Sequence, residues 1–278
     1  MTRRNGALHP PMTTDPQPNL GPQQAPPQPP AQAEKRLLAP VWHTLVLVTL
    51  MLINSFFTAS YMSRAVSHAA SGGPRNMRLL QYGLTIAFEL FLLFLVWVGL
   101  RLKHTKIRDL IGGRWNTPED FLLDIAIALG FWFASALVLA GLGYLLGLTN
   151  PSQVNDIKQR LQGIVPQSGM ELALWVALSS IAGFVEEIVF RGYLQRQIAA
   201  ISGNVFLGII ASAVVFGAGH GYEGERRMLL IAVYGIMFGL LAHWRKSLRP
   251  GMMAHALQDT IAGVAFRFLS KAGGLPSH

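Results

Sequence analysis

The residues of this chain that could do chemistry are ionisable side chains inside apolar runs. Two adjacent carboxylates and an arginine end one such run, and a histidine and a histidine–aspartate pair follow on two later runs. A charged group at the centre of a membrane helix costs about 2.5 to 3.5 kcal/mol on insertion scales, so such groups usually face a bundle interior or a water-filled cavity. The candidate site residues are Glu186, Glu187, Arg191, His220, His255 and Asp259.

Helical spacing sorts these residues into pairs. Glu187 and Arg191 are four positions apart and can pair on one helix face. Glu186 lies about 100° further round the helix and is left free to point elsewhere. His255 and Asp259 are also four apart, so both project to one side. The spacing therefore predicts one carboxylate, without a cation partner of its own, among imidazole groups.

The turns of the chain set the depth of these groups. Turn-like residues at 202–204 predict an antiparallel hairpin, and residue 203 is midway between Glu186 and His220. These two residues are therefore expected at about the same height. His255 lies only a few residues beyond the turn in RKSLRPG. It is expected to be shallower, unless that turn dips into the membrane.

A carboxylate, two imidazoles and a second carboxylate in a low-dielectric cavity favour activation of water. Glu186 would be the general base, and the histidines would orient the water or stabilise an oxyanion. Alternatively, Glu186, His220 and His255 could ligate a divalent metal such as Zn²⁺, with a water in the open position. On residue types alone, an ion-coupled transporter and a structural polar network remain equally open.

Several other catalytic mechanisms lack their residues in this sequence. The chain has no cysteine, which excludes thiol nucleophiles and Cys-based metal sites. It also lacks HExxH, GxSxG and GxGD, which disfavours zinc-protease, serine and aspartyl mechanisms built on those motifs.

The elements that must position these groups are membrane helices. Of the 278 residues, 51% are hydrophobic and 13% are charged, against roughly 25% charged in soluble domains. Because lipid cannot satisfy exposed backbone groups, each apolar run should be a helix. The sequence thus predicts an all-α, polytopic membrane bundle of about seven transmembrane helices. The predicted spans are 41–62, 79–102, 121–148, 171–198, 205–219, 228–244 and 252–269.

The ends and loops of the chain indicate its organisation. Residues 1–38 are rich in proline and poor in aliphatic side chains, which predicts a disordered tail ahead of one membrane domain at 39–278. The net charge of +9 lies mostly in short loops, which indicates membrane orientation rather than nucleic-acid binding. The loop bias favours a cytoplasmic N-terminus. Thr117 is the expected N-cap of the third span, while Glu89 and Asp124 are interpreted as lone, structural or weakly functional carboxylates.

At these residues the sequence resembles the CPBP (CAAX prenyl protease and bacteriocin-processing, or Abi) intramembrane proteases. Their pattern is EExxxR, FxxxH and HxxxN or HxxxD on successive membrane helices. This chain has EEIVFR at 186–191, FGAGH at 216–220 and HALQD at 255–259, with similar flanks such as FRGYLQRQ. The resemblance covers about residues 120–270.

The resemblance implies an intramembrane metalloprotease that cleaves a membrane-associated or prenylated-like peptide or protein. Glu186 would activate water with His220, and His255 and Asp259 would stabilise the oxyanion. Glu187 and Arg191 would hold the site in shape. In the eukaryotic members, which remove the last three residues of prenylated proteins, this motif usually ends in Asn, whereas this chain has Asp259. The implied setting is membrane lipid, in a bacterial cytoplasmic membrane, and a non-proteolytic scaffold or immunity protein is the alternative within the family.

Overall fold

The computed structural model describes residues 37–68, 76–162 and 164–272, which form helices joined by short connections. Nearly all of the predicted tail, residues 1–36, lies outside this part of the chain. The described residues form ten α-helices: α1 (Val41–His68), α2 (Asn76–Arg101), α3 (Ile107–Ile111), α4 (Pro118–Leu145), α5 (Pro151–Gln162), α6 (Gly169–Glu186), α7 (Gln195–Ser202), α8 (Val205–Gly219), α9 (Glu225–Arg245) and α10 (Arg249–Ala272).

The all-α prediction is confirmed, and every predicted span falls on a helix. Within the described residues, five helical segments are long and apolar enough to cross a membrane. They include one continuous stretch, Gly169–Ser202, that runs through α6 and α7. The helix α8 is apolar but shorter, and α10, which carries His255 and Asp259, is not among the five. The chain is thus an integral membrane protein. Two of the seven predicted spans, those on α8 and α10, are not among the five segments that are long and apolar enough to cross a membrane.

Helix ends follow local side-chain signals. Thr117 caps α4 as predicted, accepting a hydrogen bond from the backbone N–H of Asp120, and Pro118 is the first helical residue. Gly203 ends α7 with φ of +73°, and Asn204 caps α8 through the N–H groups of Phe206 and Leu207. The predicted hairpin at 202–204 is therefore confirmed.

Two short helices were not predicted, because neither is a span. The helix α3 has five residues, and the sequence of α5, PSQVNDIKQRLQ, is mostly polar. Hydropathy finds runs that are long enough to cross a membrane, so it passes over such connecting helices.

The segment Glu187–Leu194 between α6 and α7 is π-helical, and all eight residues are buried. The α-helical geometry assumed from the spacing of Glu187 and Arg191 is therefore wrong for this segment. A π-turn widens the helix by one residue per hydrogen-bonded ring and occurs frequently at functional sites. Its backbone sits in the main hydrophobic core, where Ile188 and Tyr193 pack with Val96 of α2 and Phe216 of α8. The widened turn therefore lies inside the protein rather than against lipid.

Small residues allow helices to approach closely around this segment. A Cβ at Gly183 of α6 would lie 2.7 Å from the backbone nitrogen of Ala256 in α10. A Cβ at Gly235 of α9 would lie 3.1 Å from Cα of Ala213 in α8. Backbone-to-backbone packing of this kind is typical of membrane helix interfaces.

The turn between α9 and α10 is buried. Ser247 and Leu248 are 3% and 1% exposed, the Leu248 N–H donates to the carbonyl of Ile111 at 2.8 Å, and Ser247 forms an isolated β-bridge with Gly112. The turn thus lies beneath α3 and inside the protein. This explains how His255, only the seventh residue of α10, lies within contact distance of residues deep in the long α6–α7 stretch.

Candidate active site

A buried ion pair forms the back of the site. Nη1 of Arg191 donates to Oε1 of Glu187 at 2.9 Å, and both side chains are 1% exposed. The guanidinium also lies over the rings of Phe216 and Phe238, at 4.3 and 4.9 Å from their centroids. The predicted pairing is confirmed. A buried charge is tolerated only when it is paired and hydrogen-bonded, and aromatic faces add cation–π attraction.

His255 joins this pair to the more open part of the site. Its Nδ1 lies 3.1 Å from Oε1 of Glu187. Its Nε2 faces two other carboxylates, Oε2 of Glu186 at 3.5 Å and Oδ2 of Asp259 at 3.8 Å. Since Glu187 already accepts from Arg191, an Nδ1–H that donates to Glu187 fixes the ring and directs Nε2 toward Glu186.

His220 is oriented by the backbone of its own helix. It lies at the C-cap of α8, and its Nδ1 is 2.9 Å from the carbonyl oxygen of Phe216. A carbonyl only accepts, so Nδ1 carries the proton and Nε2 of the neutral ring has a free lone pair. The Phe216 ring contacts both imidazoles, with its centroid 4.9 Å from that of His220 and 5.9 Å from that of His255.

Exposure rises from the ion pair outward. The side chain of Glu187 is 1% exposed, that of His255 is 5%, that of Glu186 is 13% and that of Asp259 is 38%. Ion pairs and short contacts thus link five of the predicted residues, Glu186, Glu187, Arg191, His255 and Asp259, and Glu186 and Asp259 are the more exposed of them. His220 joins this group through the Phe216 ring, which contacts both imidazoles. Their individual roles stay predictions.

The predicted metal ligands are not arranged as a metal site. Among the described residues, no group of three or more His, Asp or Glu side chains is placed so that it could hold a metal ion. The donors Glu186, His220 and His255 share one region, but they do not converge on a single point in this conformation. Metal ligation by these residues stays a prediction.

Two further residues, Glu89 and Tyr222, lie near the site although the sequence did not predict them there. Glu89 is 6% exposed and lies close enough to Glu186 and Asp259 to interact with them electrostatically, so the interpretation of Glu89 as a lone carboxylate is wrong. Tyr222, in the connection after α8, has its ring centroid 5.9 Å from that of His220. Burial raises the pKa of Tyr222 well above its usual range, and nearby carboxylates add to the shift, so its hydroxyl stays protonated.

Signals for these two residues were weak. Glu89 is recognisable in the sequence as an ionisable group in a membrane span, but its neighbour Glu186 is distant in sequence, so their proximity could not be predicted. Tyr222 follows His220 by two positions and carries no motif of its own. Asp124, by contrast, accepts hydrogen bonds from Trp115 and Arg245, at 2.8 and 3.1 Å, which agrees with a structural role.

Together, the fold and this site define a polytopic helical membrane protein with a buried carboxylate–histidine centre. Residues 168–261 match a family model described as type II CAAX prenyl endopeptidase, Rce1-like. The resemblance to CAAX-type proteases is thereby confirmed over that segment, which contains all six predicted site residues and lies within the predicted 120–270.

One curated relative is similar to part of the chain. It is the uncharacterized protein YpbD of Bacillus subtilis strain 168, 30% identical over 95 residues, which are 34% of this chain and 46% of the relative. The chain thus matches about half the length of that relative. No solved structure matches the chain.

Proposed function

We propose that the chain is an intramembrane endopeptidase that hydrolyses a peptide bond with water activated by Glu186. The observation that carries the proposal is the difference in burial and charge pairing between the adjacent carboxylates Glu186 and Glu187. Glu187 is buried and neutralised by Arg191, whereas Glu186 is partly exposed and has only a longer, 3.5 Å approach to an imidazole. The match to an endopeptidase family over the same residues supports this reading.

In the proposed reaction, Glu186 takes a proton from a water molecule, and His220 helps to orient that water through its free Nε2. The resulting hydroxide attacks the carbonyl carbon of the scissile peptide bond. When the carbon–nitrogen bond breaks, Glu186 returns the proton to the departing amine. Such general acid–base catalysis typically contributes about 10²- to 10⁴-fold in rate.

His255 is the proposed donor to the oxyanion. Its Nδ1 side is held by Glu187, so a proton on Nε2 would point toward the region between Glu186 and Asp259. An ionised Asp259 can only accept hydrogen bonds, so it would hold the charged imidazole rather than bind the oxyanion itself. A fixed donor in a low-dielectric site stabilises developing charge without reorganisation.

The proposed substrate is a membrane-associated or prenylated-like peptide or protein. The site lies among helices long and apolar enough to cross a membrane. A scissile bond can reach Glu186 there only if it is presented from the lipid or at its surface. Whether hydrolysis requires a metal ion is tested in the same cleavage experiment.

The test compares the wild type with Glu186→Gln in cleavage of a peptide library by detergent-purified protein. Glu186→Gln should lower kcat by about 10²-fold or more, because the amide cannot act as a base. Asp124→Asn is the matched control, since Asp124 is also a buried carboxylate but lies outside the site. Parallel reactions with chelator, and with zinc added back, report metal dependence.

Equal cleavage by the wild type and Glu186→Gln would refute the mechanism. Absence of cleavage by folded wild type would favour a scaffold or a transporter. A transporter would show ion-dependent flux in liposomes that is lost in Glu186→Gln.

A further inference from the structure

A cavity of about 350 Å³, which the proposed reaction does not use, lies at one end of the helix bundle. It is bounded by α3, α7, the start of α8 and the turn that joins α9 to α10. Its volume is within the range of about 300 to 1,000 Å³ that is typical of small-ligand sites. Arg191 is on its wall, but the guanidinium is paired with Glu187 and 1% exposed, so it is not free to bind a ligand.

Basic side chains from α7, α9 and the following turn line this cavity. They are Arg196, His243 and Lys246. Arg196 is half-buried, and its guanidinium donates to the carbonyl oxygens of Asp109 at 3.2 Å and Leu110 at 2.8 Å. A guanidinium has five N–H groups, so others remain for a ligand. Because the two carbonyl groups carry no net charge, they hold Arg196 in place without neutralising it.

Asp109 is the acidic residue on the cavity wall, and its carboxylate is engaged within α3. Its Oδ2 accepts a hydrogen bond from the backbone N–H of Lys106 at 3.2 Å, and its Oδ1 lies 3.8 Å from Nε of Arg108. In the part of the chain that the structure describes, neither Arg196 nor Lys246 forms an ion pair. Two cationic side chains without a counter-ion thus line one cavity, which favours an anionic ligand.

The backbone holds Lys246 in a fixed position. Lys246 ends α9 in the left-handed conformation, with φ of +52°, where glycine or asparagine is usual. Its carbonyl group packs against Gly112, which has no room for a Cβ there, and the next residue, Ser247, forms the β-bridge with Gly112. A side chain kept at such a strained position suggests a function for that side chain. The rigid turn places the ammonium-bearing side chain on the cavity wall.

Exposed tryptophans place the cavity at the level of the lipid headgroups. Trp244, 69% exposed, is two residues before Lys246. Trp115, 44% exposed, stacks under the guanidinium of Arg249, which donates to the carbonyl oxygen of Gly112 at 2.8 Å. Tryptophan is enriched at the two membrane–water interfaces, where its ring lies among the headgroups. The basic cavity therefore lies where lipid phosphate groups are abundant.

We propose that this cavity binds a phosphate group, as carried by the headgroup of an anionic phospholipid. Arg196 would donate its remaining N–H groups to the phosphate oxygens, and Lys246 would supply the second positive charge. Basic pockets between membrane helices recognise anionic headgroups in this way. Free phosphate has the same chemistry, and the level of the cavity in the membrane favours the lipid as the source. The inference does not depend on peptide hydrolysis.

The test measures binding to the detergent-purified full chain. Native mass spectrometry gives the dissociation constants of phosphatidylglycerol, which is anionic, and of phosphatidylcholine, which is zwitterionic, and calorimetry gives that of inorganic phosphate. Lys246→Asn removes a charge but keeps a residue that tolerates the left-handed backbone. It should weaken phosphatidylglycerol binding about fivefold, the usual contribution of one basic residue near a membrane surface. Arg196→Gln should weaken it about tenfold or more, because bonds from Arg to phosphate are charge-assisted.

Arg114→Asn is the matched control, because Arg114 is an exposed cation two residues after Gly112 and is not on the cavity wall. Lys246-dependent binding of either phosphatidylglycerol or inorganic phosphate supports the site, and the tighter of the two identifies the source of the phosphate. The inference is overturned if neither probe binds, or if folded Lys246→Asn binds them like the wild type. It is also overturned if Arg114→Asn loses as much affinity as Lys246→Asn, or if phosphatidylcholine binds as tightly as phosphatidylglycerol.

Discussion

Replacing Gly183 by alanine should separate the two helices that carry the site. The added Cβ would lie 2.7 Å from the backbone nitrogen of Ala256, whereas ordinary contacts begin at about 3.4 Å. Backbone atoms cannot rotate away, so α10 must retreat from α6 by about 0.7 Å, the difference between these two distances. His255 precedes Ala256 and would move with it.

The displacement is large enough to break the contacts of His255. Its 3.1 Å hydrogen bond to Glu187 would lengthen to about 3.8 Å, beyond hydrogen-bond range. Because a 1 Å misplacement of a catalytic group can cost about 10²-fold, we expect kcat to fall by about ten- to a hundred-fold. The overpacking itself costs about 1 to 3 kcal/mol, partly offset by the better helix propensity of alanine.

The assay is peptide cleavage with kcat and KM separated, together with thermal unfolding in detergent. Gly130→Ala is the matched control, because a Cβ at this glycine of α4 would have no neighbour within 4 Å. Wild-type kcat in a folded Gly183→Ala variant would refute the reasoning. An equal loss of kcat in Gly130→Ala would show that the effect of Gly183→Ala does not come from the close approach of α6 and α10.

The remaining predictions concern the charges of the site. Arg191→Met should lower the free energy of unfolding by about 3 kcal/mol, the low end for a broken buried pair, because Glu187 keeps its contact with His255. Replacing both Glu187 and Arg191 by Met should restore part of that loss in thermal unfolding, and a double variant less stable than Arg191→Met would contradict this. Asp259→Asn should lower kcat by about tenfold, because an amide lacks the negative charge that would hold the charged imidazole of His255. A folded Asp259→Asn variant with wild-type kcat would show that the negative charge of Asp259 is not needed.

Local patterns predicted the parts of this structure that depend on neighbours in sequence. The helix α8 has the predicted bounds, because Asn204 caps its start and the apolar run ends at His220. The pair of Glu187 and Arg191 followed from a spacing of four residues, and it forms even though the segment is π-helical. Both features are set within a few turns of one helix.

Features that depend on packing between distant segments could not be predicted. The proximity of Glu89 to Glu186 arises from the packing of α2 against α6, which no local pattern encodes. The depth of His255 depends on a turn that α3 covers, and α3 is too short to give a hydropathy signal. The π-helical geometry of the buried segment Glu187–Leu194 likewise gave no signal in the spacing of its residues.

The aromatic enclosure of Arg191 makes the site insensitive to ionic strength. Dissolved ions screen charges over about 8 Å at physiological salt, but only where they can approach. Arg191 and Glu187 are 1% exposed, and the rings of Phe216 and Phe238 cover the guanidinium. The interactions of the Arg191–Glu187 pair, which hold His255 in place, should therefore have the same strength in dilute and in concentrated salt. Glu186 and Asp259 are more exposed than this pair, at 13% and 38%.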